Sequence, residues 1–290
     1  MLDGSKDDNP YWNYHSLLDF NSDDNFQKVA EILFELSNEQ RLLILSKIFG
    51  NNTVNLSTLS KLLNIPVQEA HRNLNRLSEA ELIQRNSSGD FYITSFGKII
   101  LVHLFSLNFI SKNKLYIKEH KIENIPLNFL QSIGILSFSS FLKNPVSVYE
   151  NIKIICKESE EYIYCAIPMI QSYMIDLFYP KIQNNNIRFR YVLPHQAAVP
   201  KSMHNENKHE FFHDLISKGI IQRKMTKEIN TAIILSEKKA LVMFSDGKGN
   251  MDMNSAFFSE NNIFHEWCED YFEFIWKHSR YYDKNKLEEV

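Results

Sequence analysis

The segment from residue 55 to residue 94 constrains the fold more than any other part of the chain. Leu56 to Leu63 has the apolar spacing of a short helix, with Asn55 as its N-cap and Asn64 as a residue that tolerates the left-handed conformation at its end. After a short turn, Val67 to Glu79 has the length and spacing of a second helix. The sequence therefore predicts two consecutive helices joined by a tight turn.

Two short strands follow the second helix. The runs LIQRN and DFYI are separated by a turn that contains Ser88 and Gly89, which predicts a hairpin. Helix, turn, helix and paired strands in this order are typical of a winged helix-turn-helix, in which the hairpin is the wing.

Further helices are predicted on both sides of this unit. Apolar residues recur at helical spacing over residues 26–36, and Ser37 with Gln40 forms a capping-box pattern before the next helix. After the wing, Thr94 is expected to cap a long helix over residues 95–112.

The second helix of the unit is amphipathic in a way that suits DNA recognition. One face is apolar, and the residues expected to be buried there are Val67, Ala70, Leu74 and Leu77. The other face offers amide, imidazole and guanidinium groups, whose geometry matches purine edges or phosphates. The candidates for DNA contact are Gln68, His71, Arg72, Asn75 and Arg76 on this helix and Arg85 at the wing.

Two other interpretations of the unit stay open. An ordinary small helical bundle also exposes polar faces, because surfaces in water are polar. A winged helix can instead bind protein, and the carboxylates of Glu69, Glu79 and Glu81 reduce the positive charge of the exposed face. We favour DNA binding because a helix pair, a capped turn and a wing occur together.

Charge and cysteine content indicate the partner and the compartment. The net charge is −3, but residues 1–36 contribute −6 and residues 37–98 contribute +2, so the basic excess coincides with the helix-turn-helix unit. Three widely separated cysteines exclude a disulfide framework. Because the sequence also lacks a signal-peptide pattern and an apolar run of membrane-spanning length, we expect a cytoplasmic protein with no membrane partner.

Short β-rich runs alternate with helical ones in the second half of the chain. EYIYCAI, IRFRYVL and GIIQRKM have the composition of strands, which predicts β-α-β units and a largely parallel sheet. TAIILSE and ALVMFSD predict two further strands, joined as a hairpin near Glu237 to Lys239. The expected fold class is therefore α+β and α/β, with an N-terminal winged helix-turn-helix and a C-terminal α/β domain.

The expected organisation has four parts. They are an acidic tail over residues 1–25, the winged helix-turn-helix domain over 26–112, a connector over 113–125 and the α/β domain over 126–290, which ends with a helix from about Asn261 to Arg280.

Candidates for binding a small-molecule effector lie in the α/β domain. Ligands of open parallel sheets bind beyond the carboxyl ends of the strands, and here those ends carry Met169, His195 and Gln196. Arg188 and Arg190 alternate with apolar residues, and they either line a solvent face or flank an anionic pocket. Polar loop residues in water would give the same pattern, so both interpretations stay open.

We expect a homodimer, because one winged helix contacts only one short half-site on double-stranded DNA. Apolar faces at Leu101 to Phe109 and at Phe264 to Ile275 offer partner surfaces. The second face is equally consistent with packing inside the α/β domain.

Two blocks of the sequence resemble known regulators. The block from Ser37 to Gly97 resembles archaeal transcriptional regulators with an ArsR/MarR-like winged helix, although Pro66 stands where these usually have a capping Ser or Thr. The successions IPLNFLQSIGIL, NPVSVYENIKIICKESEEYIYCAIP and IRFRYVLP, between about Pro126 and Phe258, resemble the FilR1-type domain of methanogenesis regulatory proteins. This resemblance implies a DNA-binding head joined to an α/β sensor domain that is akin to the phospholipase-D-like sensors of sugar-responsive archaeal regulators.

Most catalytic motifs are missing from the sequence. Catalysis by a phospholipase-D-like fold would need His-x-Lys, which does not occur, and the phosphate-loop, dinucleotide and serine-esterase motifs are absent as well. We therefore expect a transcriptional regulator that needs no cofactor and is not an enzyme. The alternative is a metal-dependent or phospholipase-D-like hydrolase with an accessory winged helix.

One metal-binding motif does occur. His209, Glu210 and His213 form H-E-x-x-H, which on a helix places both imidazoles on one face as zinc ligands. A third ligand is not evident, and a helix that packs Phe211 and Phe212 against the sheet explains the same stretch. We expect no bound zinc there.

Overall fold

The structure is a computed structural model that describes residues 24–185, 187–200 and 213–289. It has a mixed α+β fold, in agreement with the predicted class. The described residues divide between two compact units, of which the first ends at Leu107 and the second begins at Asn108. The first unit is mainly helical, and the second contains an eight-stranded sheet.

In the described part of the first unit, four helices precede two short antiparallel strands and a long fifth helix, which continues into the second unit. The bounds are α1 Asp24–Leu36, α2 Glu39–Asn51, α3 Leu56–Leu63, α4 Val67–Glu79, β1 Ile83–Arg85, β2 Phe91–Ile93 and α5 Ser95–Lys112. The predicted helix pair and both strands of the hairpin are confirmed.

Asparagine side chains cap the starts of α2 and α3. Asn55 accepts a backbone hydrogen bond of 2.8 Å and Asn64 has a left-handed backbone, φ 50°, which confirms both predicted ends of α3. The capping box predicted at Ser37 is wrong, because Asn38 caps α2 by accepting a backbone N–H bond of 3.1 Å. The Ser37 hydroxyl instead donates to the carbonyl oxygen of Phe34 in α1, at 2.8 Å.

One hydrophobic core joins the helices and the wing of the first unit. Val54 pairs with Phe91 through two backbone hydrogen bonds of 2.9 and 3.0 Å, so the loop before α3 is attached to the wing. Gly97 in α5 lies so close to the chain after α4 that a Cβ atom there would collide with the carbonyl oxygen of Leu82. The most deeply buried side chains of this core include Ile44, Leu45, Ile48, Leu59, Leu74, Leu77 and Leu82.

The second unit surrounds its sheet with helices. The helices are α6 Lys114–Glu119, α7 Leu127–Gln131, α8 Pro145–Glu158, α9 Ser172–Asn185 and α10 Asn262–His278. The strands are β3 Ser140–Leu142, β4 Tyr162–Ala166, β5 Arg188–Pro194, β6 Ala198–Val199, β7 Ile221–Thr226, β8 Thr231–Ser236, β9 Ala240–Phe244, β10 Ala256–Ser259, β11 Arg280–Tyr281 and β12 Glu288–Glu289.

The strand order of the large sheet is β11-β7-β5-β4-β8-β9-β10-β3. Strands β4, β5 and β7 are parallel, as the β-α-β pattern predicts, but every other pairing in this sheet is antiparallel. The expectation of a largely parallel sheet is therefore wrong. The predicted hairpin between β8 and β9 is confirmed, with Leu235 opposite Ala240, and a tight turn of this kind can join only antiparallel strands.

The sheet is covered on both faces, which explains why β4, β8 and β9 are buried along their whole length. Ile163 and Cys165 face the side that α8 and α9 cover, whereas Tyr162 and Tyr164 face the side that α10 covers. The apolar side of α10 lies in this second cluster, and its buried residues are Phe264, Trp267, Cys268, Tyr271 and Phe272.

The face predicted at Phe264 to Ile275 therefore packs inside the second unit and does not form a free partner surface. Across the described ranges, none of the helices combines the length and the apolar character that crossing a lipid bilayer requires.

Candidate nucleic-acid interface

Helix α4 keeps one face in the core and presents the other to solvent. Ala70, Leu74 and Leu77 are fully buried, as predicted, but Val67 is 53% exposed, so its predicted burial is wrong. Val67 is the first residue of the helix, at the flank of the apolar stripe, and the buried part of the stripe begins one turn later. The predicted DNA-contacting residues on the solvent side include Gln68, His71, Arg72 and Asn75, and Glu79 is exposed on this side as well.

Arg76 lies on the flank of α4 that meets α1. Its Nε donates to Oε2 of Glu35 at 2.8 Å, and its Nη2 donates to Oε1 of the same carboxylate. The guanidinium carbon is 5.4 Å from the centre of the Phe34 ring. All five candidates on α4 are exposed, and Arg76, whose side chain is 44% exposed, is also ion-paired with α1.

The carboxylate of Glu35 is shared by two arginines. The hydrogen bond from Arg76 lowers the pKa of Glu35 more strongly than partial burial raises it, and the charges of Arg76 and Arg41 lower the pKa further. Glu35 therefore stays ionised at a lower pH than an ordinary glutamate does. Its carboxylate connects α1 with α2 and α4.

Arg41 is a buried cation that the sequence analysis missed. Only 8% of it is exposed, and its Nη2 donates to the carbonyl oxygen of Phe34 at 3.0 Å while its Nε donates to the carbonyl oxygen of Glu35. Carbonyl groups in the last turn of a helix have no partner within that helix, so Arg41 holds the end of α1 against α2. The sequence signal is an arginine shortly after the turn between two amphipathic helices.

A buried pair of amides joins α2 and α4. Asn73 is 8% exposed, and its Nδ2 donates to Oε1 of Gln40 at 3.1 Å. Gln40 is one residue of the predicted capping box, but its amide contacts α4 and does not cap α2. Asn73 was missed because asparagine on a helix is usually exposed.

The wing presents Arg85 to solvent in a fixed orientation. Its Nε donates to the carbonyl oxygen of Gly89 at 3.0 Å, and its guanidinium carbon lies 5.7 Å from the centre of the Phe91 ring. Gly89 has φ +90°, a conformation that a glycine adopts without strain. The predicted turn at Gly89 is therefore confirmed, and Arg85 lies along it.

A cleft of about 430 Å³ opens at the start of α4. Its residues are Leu56 from α3 and Val67, Gln68, His71 and Arg72 from α4. Three of the six predicted DNA-contacting residues thus meet in one concave site that also has apolar walls.

A larger groove of about 910 Å³ lies between α1 and α5. Five exposed apolar side chains on these two helices line the groove, and we call this set the α1–α5 surface: Val29, Leu33, Phe34, Phe96 and Leu107. Within the predicted face at Leu101 to Phe109, Leu101 and Leu104 are half-buried and Phe109 is buried. The exposed residues of this segment lie at the positions between these three.

Two of the candidate effector residues at the strand ends of the second unit, His195 and Gln196, contact Lys286 near the C-terminal strand β12. The backbone N–H of Gln196 donates to Lys286 at 2.6 Å, and β12 pairs with β6. Nζ of Lys286 lies 3.5 Å from Nε2 of His195. Met169 is half-exposed, and its sulfur is 3.7 Å from the side-chain nitrogen of Gln171.

The two arginines of β5 lie on the sheet face that α10 covers. Arg190 forms an ion pair with Glu273, and its guanidinium carbon lies 4.1 Å from the centre of the Trp276 ring and 4.9 Å from that of Tyr164. Arg188 is exposed beside Tyr162, at 6.0 Å from the ring centre. The structure therefore separates the two arginines from His195 and Gln196.

A small apolar cavity of about 30 Å³ lies between β4, β5 and α9. Cys165, Phe178 and Tyr191 are among its walls, and it includes none of the five effector candidates. Because drug-sized ligands occupy roughly 300 Å³ or more, this cavity is too small for a metabolite.

The H-E-x-x-H motif lies mainly outside the described residues, which include His213 but not His209, Glu210, Phe211 or Phe212. Within the described residues, no group of three metal-ligating side chains is found.

No family model matches the chain, and no curated protein matches its sequence. The solved structures that resemble it in part include the following three. TrmBL2, an archaeal chromatin protein with a novel mode of DNA binding, is 10% identical over 84% of this chain and 94% of its own, with a TM-score of 0.39. NucT from Helicobacter pylori is 7% identical over 48% of this chain and 92% of its own, with a TM-score of 0.34.

The third structure is an IclR-family transcriptional regulator from Rhodococcus sp. It is 8% identical over 83% of this chain and 92% of its own, with a TM-score of 0.21. Similarities at this level carry no functional argument, and the resemblance to FilR1-type regulators stays a prediction.

Proposed function

We propose that this protein is a sequence-specific DNA-binding transcriptional regulator. One observation carries the proposal: α4 follows α3 after a tight turn, is followed by a hairpin, and exposes Gln68, His71, Arg72 and Asn75 on one side. In a winged helix-turn-helix, this helix enters the major groove and the wing contacts the neighbouring backbone or minor groove. Arg85 is the cation of the wing in this arrangement.

Arg72 is the strongest candidate for a base or phosphate contact. Its side chain is exposed, and it lines the cleft at the start of α4 together with Gln68 and His71. A guanidinium donates two parallel hydrogen bonds to a guanine edge, and an amide pairs in the same way with adenine. Arg76 has a different role in this proposal, because its guanidinium already binds Glu35.

We infer that the protein is a homodimer that meets through the α1–α5 surface. Exposed apolar side chains that line one groove can mark a protein contact. Two copies joined in this way would present two α4 helices to two half-sites of one operator.

The second unit is proposed to recognise an intracellular effector and to change operator affinity. The strand-end residues Met169, His195 and Gln196 are the proposed ligand contacts, and a ligand there would have to displace or rearrange residues 286–289. We also place the protein in the cytoplasm, where its three free, buried cysteines would remain reduced.

The test is selection of bound sequences from random double-stranded DNA by the full chain, followed by affinity measurements at several salt concentrations. A regulator enriches one motif and binds it roughly 10³-fold or more tightly than random duplex. Enrichment of no motif would contradict the proposal, and capture of a protein with no DNA binding would favour the protein-binding interpretation of the winged helix.

A further inference from the structure

Val67 is an exposed apolar residue in a polar environment. It is 53% exposed at the first position of α4, so it contributes little to the core that Ala70, Leu74 and Leu77 form. It stands in the cleft beside Leu56, with Gln68 next to it on the helix. A valine at this point is not needed to form the helix, because β-branched residues are weaker helix formers than alanine.

The surrounding groups indicate what this valine contacts. Gln68, His71 and Arg72 line the same cleft and can form hydrogen bonds with base edges or phosphates. The residues at the start of a recognition helix are the ones that reach base edges. On the major-groove edge of a base pair, the apolar group is the 5-methyl group of thymine.

We propose that Val67 contacts the 5-methyl group of a thymine in the operator, at a base pair adjacent to those contacted by Gln68 and Arg72. This inference rests on the proposed function. The thymine methyl group would be buried between the side chains of Val67 and Leu56. The contact gains energy from dispersion and from removal of apolar surface from water. It distinguishes thymine from cytosine at that position without any hydrogen bond.

Replacement of thymine by deoxyuridine tests the contact, since it removes the methyl group and keeps the hydrogen-bonding pattern. In the duplex selected by the full chain, each thymine is replaced singly and the dissociation constant is measured. We expect one position in each half-site to lose about fourfold in affinity, the fold-change that corresponds to burial of one methyl group.

The variant Val67→Ala completes a double-mutant cycle. It should bind the thymine duplex about fourfold more weakly than the wild type and should lose nothing further when that thymine becomes deoxyuridine. Leu62→Ala is the matched control, because Leu62 is 50% exposed on α3 but does not line the cleft. This control should keep the full sensitivity to deoxyuridine.

Two results separate the inference from the function. If the chain selects a motif but Val67→Ala stays as sensitive to deoxyuridine as the wild type, or no thymine is sensitive, the inference is overturned and the proposed function stands. If the chain selects no duplex, the proposed function fails and this inference fails with it.

Discussion

Arg76 of α4 and Glu35 of α1 form a two-bond ion pair across the first unit, with the guanidinium stacked near the Phe34 ring. The pair lies beside the exposed face of α4, and it fixes one flank of that helix. An arginine that the sequence predicts as a DNA contact therefore also holds the helix that carries the other candidates.

Arg72 and Arg76 are expected to respond differently to substitution. Arg72→Ala should weaken binding of the selected duplex by about 1–3 kcal/mol, because it removes one good base or phosphate contact, and should leave the unfolding midpoint unchanged. Arg76→Ala should lower the unfolding midpoint.

Glu35→Gln is the matched control, since it removes the same ion pair from the other side. If Arg76 acts through Glu35, then Glu35→Gln should reproduce the effect of Arg76→Ala, and the double variant should be no worse than either single one. Equal losses of DNA affinity in Arg72→Ala and Arg76→Ala, without a change in stability for Arg76→Ala, would contradict this division of roles.

The Glu35 ion pair should also give the first unit an acid-sensitive stability. The pKa of Glu35 is lower in the folded chain than its usual value of 4.5, so the pair stabilises the fold above that value and the contribution is lost as the pH falls through the lowered pKa. We expect the difference in urea midpoint between wild type and Glu35→Gln to be constant from pH 7 to about pH 5 and to shrink below pH 4. If the difference in urea midpoint instead grew on acidification, the predicted direction of the pH dependence would be wrong.

Gly97 is expected to be intolerant of any side chain. A Cβ atom there meets the carbonyl oxygen of Leu82 and the side chain of Ile93, so Gly97→Ala should destabilise the first unit by about 3 kcal/mol through forced separation of α5 from the wing. The control is Gly50→Ala in α2, where no atom lies within 4 Å of the added Cβ. It should be neutral or slightly stabilising, because alanine is the better helix former. Thermal unfolding of both variants checks the contrast.

The α1–α5 surface should determine the oligomeric state. Leu107 lines the groove and is 50% exposed on α5, and Leu107→Glu should convert the expected dimer into a monomer because a carboxylate would be buried without a partner. Leu62→Glu introduces the same charge at an exposed apolar residue of α3 and should leave the dimer intact. Sedimentation velocity distinguishes the two, and a wild-type chain that sediments as a monomer would refute the assignment of this surface.

The H-E-x-x-H motif is expected to bind no stoichiometric zinc, because the sequence offers no evident third ligand after His213. Elemental analysis of the purified full chain is the measurement. About one zinc per chain, lost in His213→Ala, would contradict the prediction and would support the hydrolase alternative.

Local patterns predicted the helix-turn-helix unit well for physical reasons. Asn55 and Asn64 act within one turn of their own helix, and the hairpin turn depends on a glycine at Gly89, so these features need only neighbouring residues. Strand pairing in the second unit is non-local, and no local pattern indicates that β8 lies antiparallel to β4.

The contacts that the sequence did not reveal at the candidate site have a common cause. The hydrogen-bond partner of Arg76 is Glu35, 41 residues away in the sequence, and the partner of Asn73 is Gln40, 33 residues away. The helical pattern of α4 identifies which side chains leave the core, but it does not say which of them meet a neighbouring helix. Only the tertiary structure shows that Arg76 is ion-paired with another helix.

The hydrogen bond between the amides of Asn73 and Gln40 restricts how α4 can slide or rotate on α2. A contact between leucines keeps most of its energy when one helix slides or rolls by a fraction of a turn, whereas a buried hydrogen bond at 3.1 Å is lost over a few tenths of an ångström. Helices joined only by hydrocarbon have several nearly equal arrangements, and one polar pair leaves a single arrangement with all its groups satisfied. The buried hydrogen bond thus fixes the rotation of α4 about its own axis, and with it the direction in which its exposed side chains project.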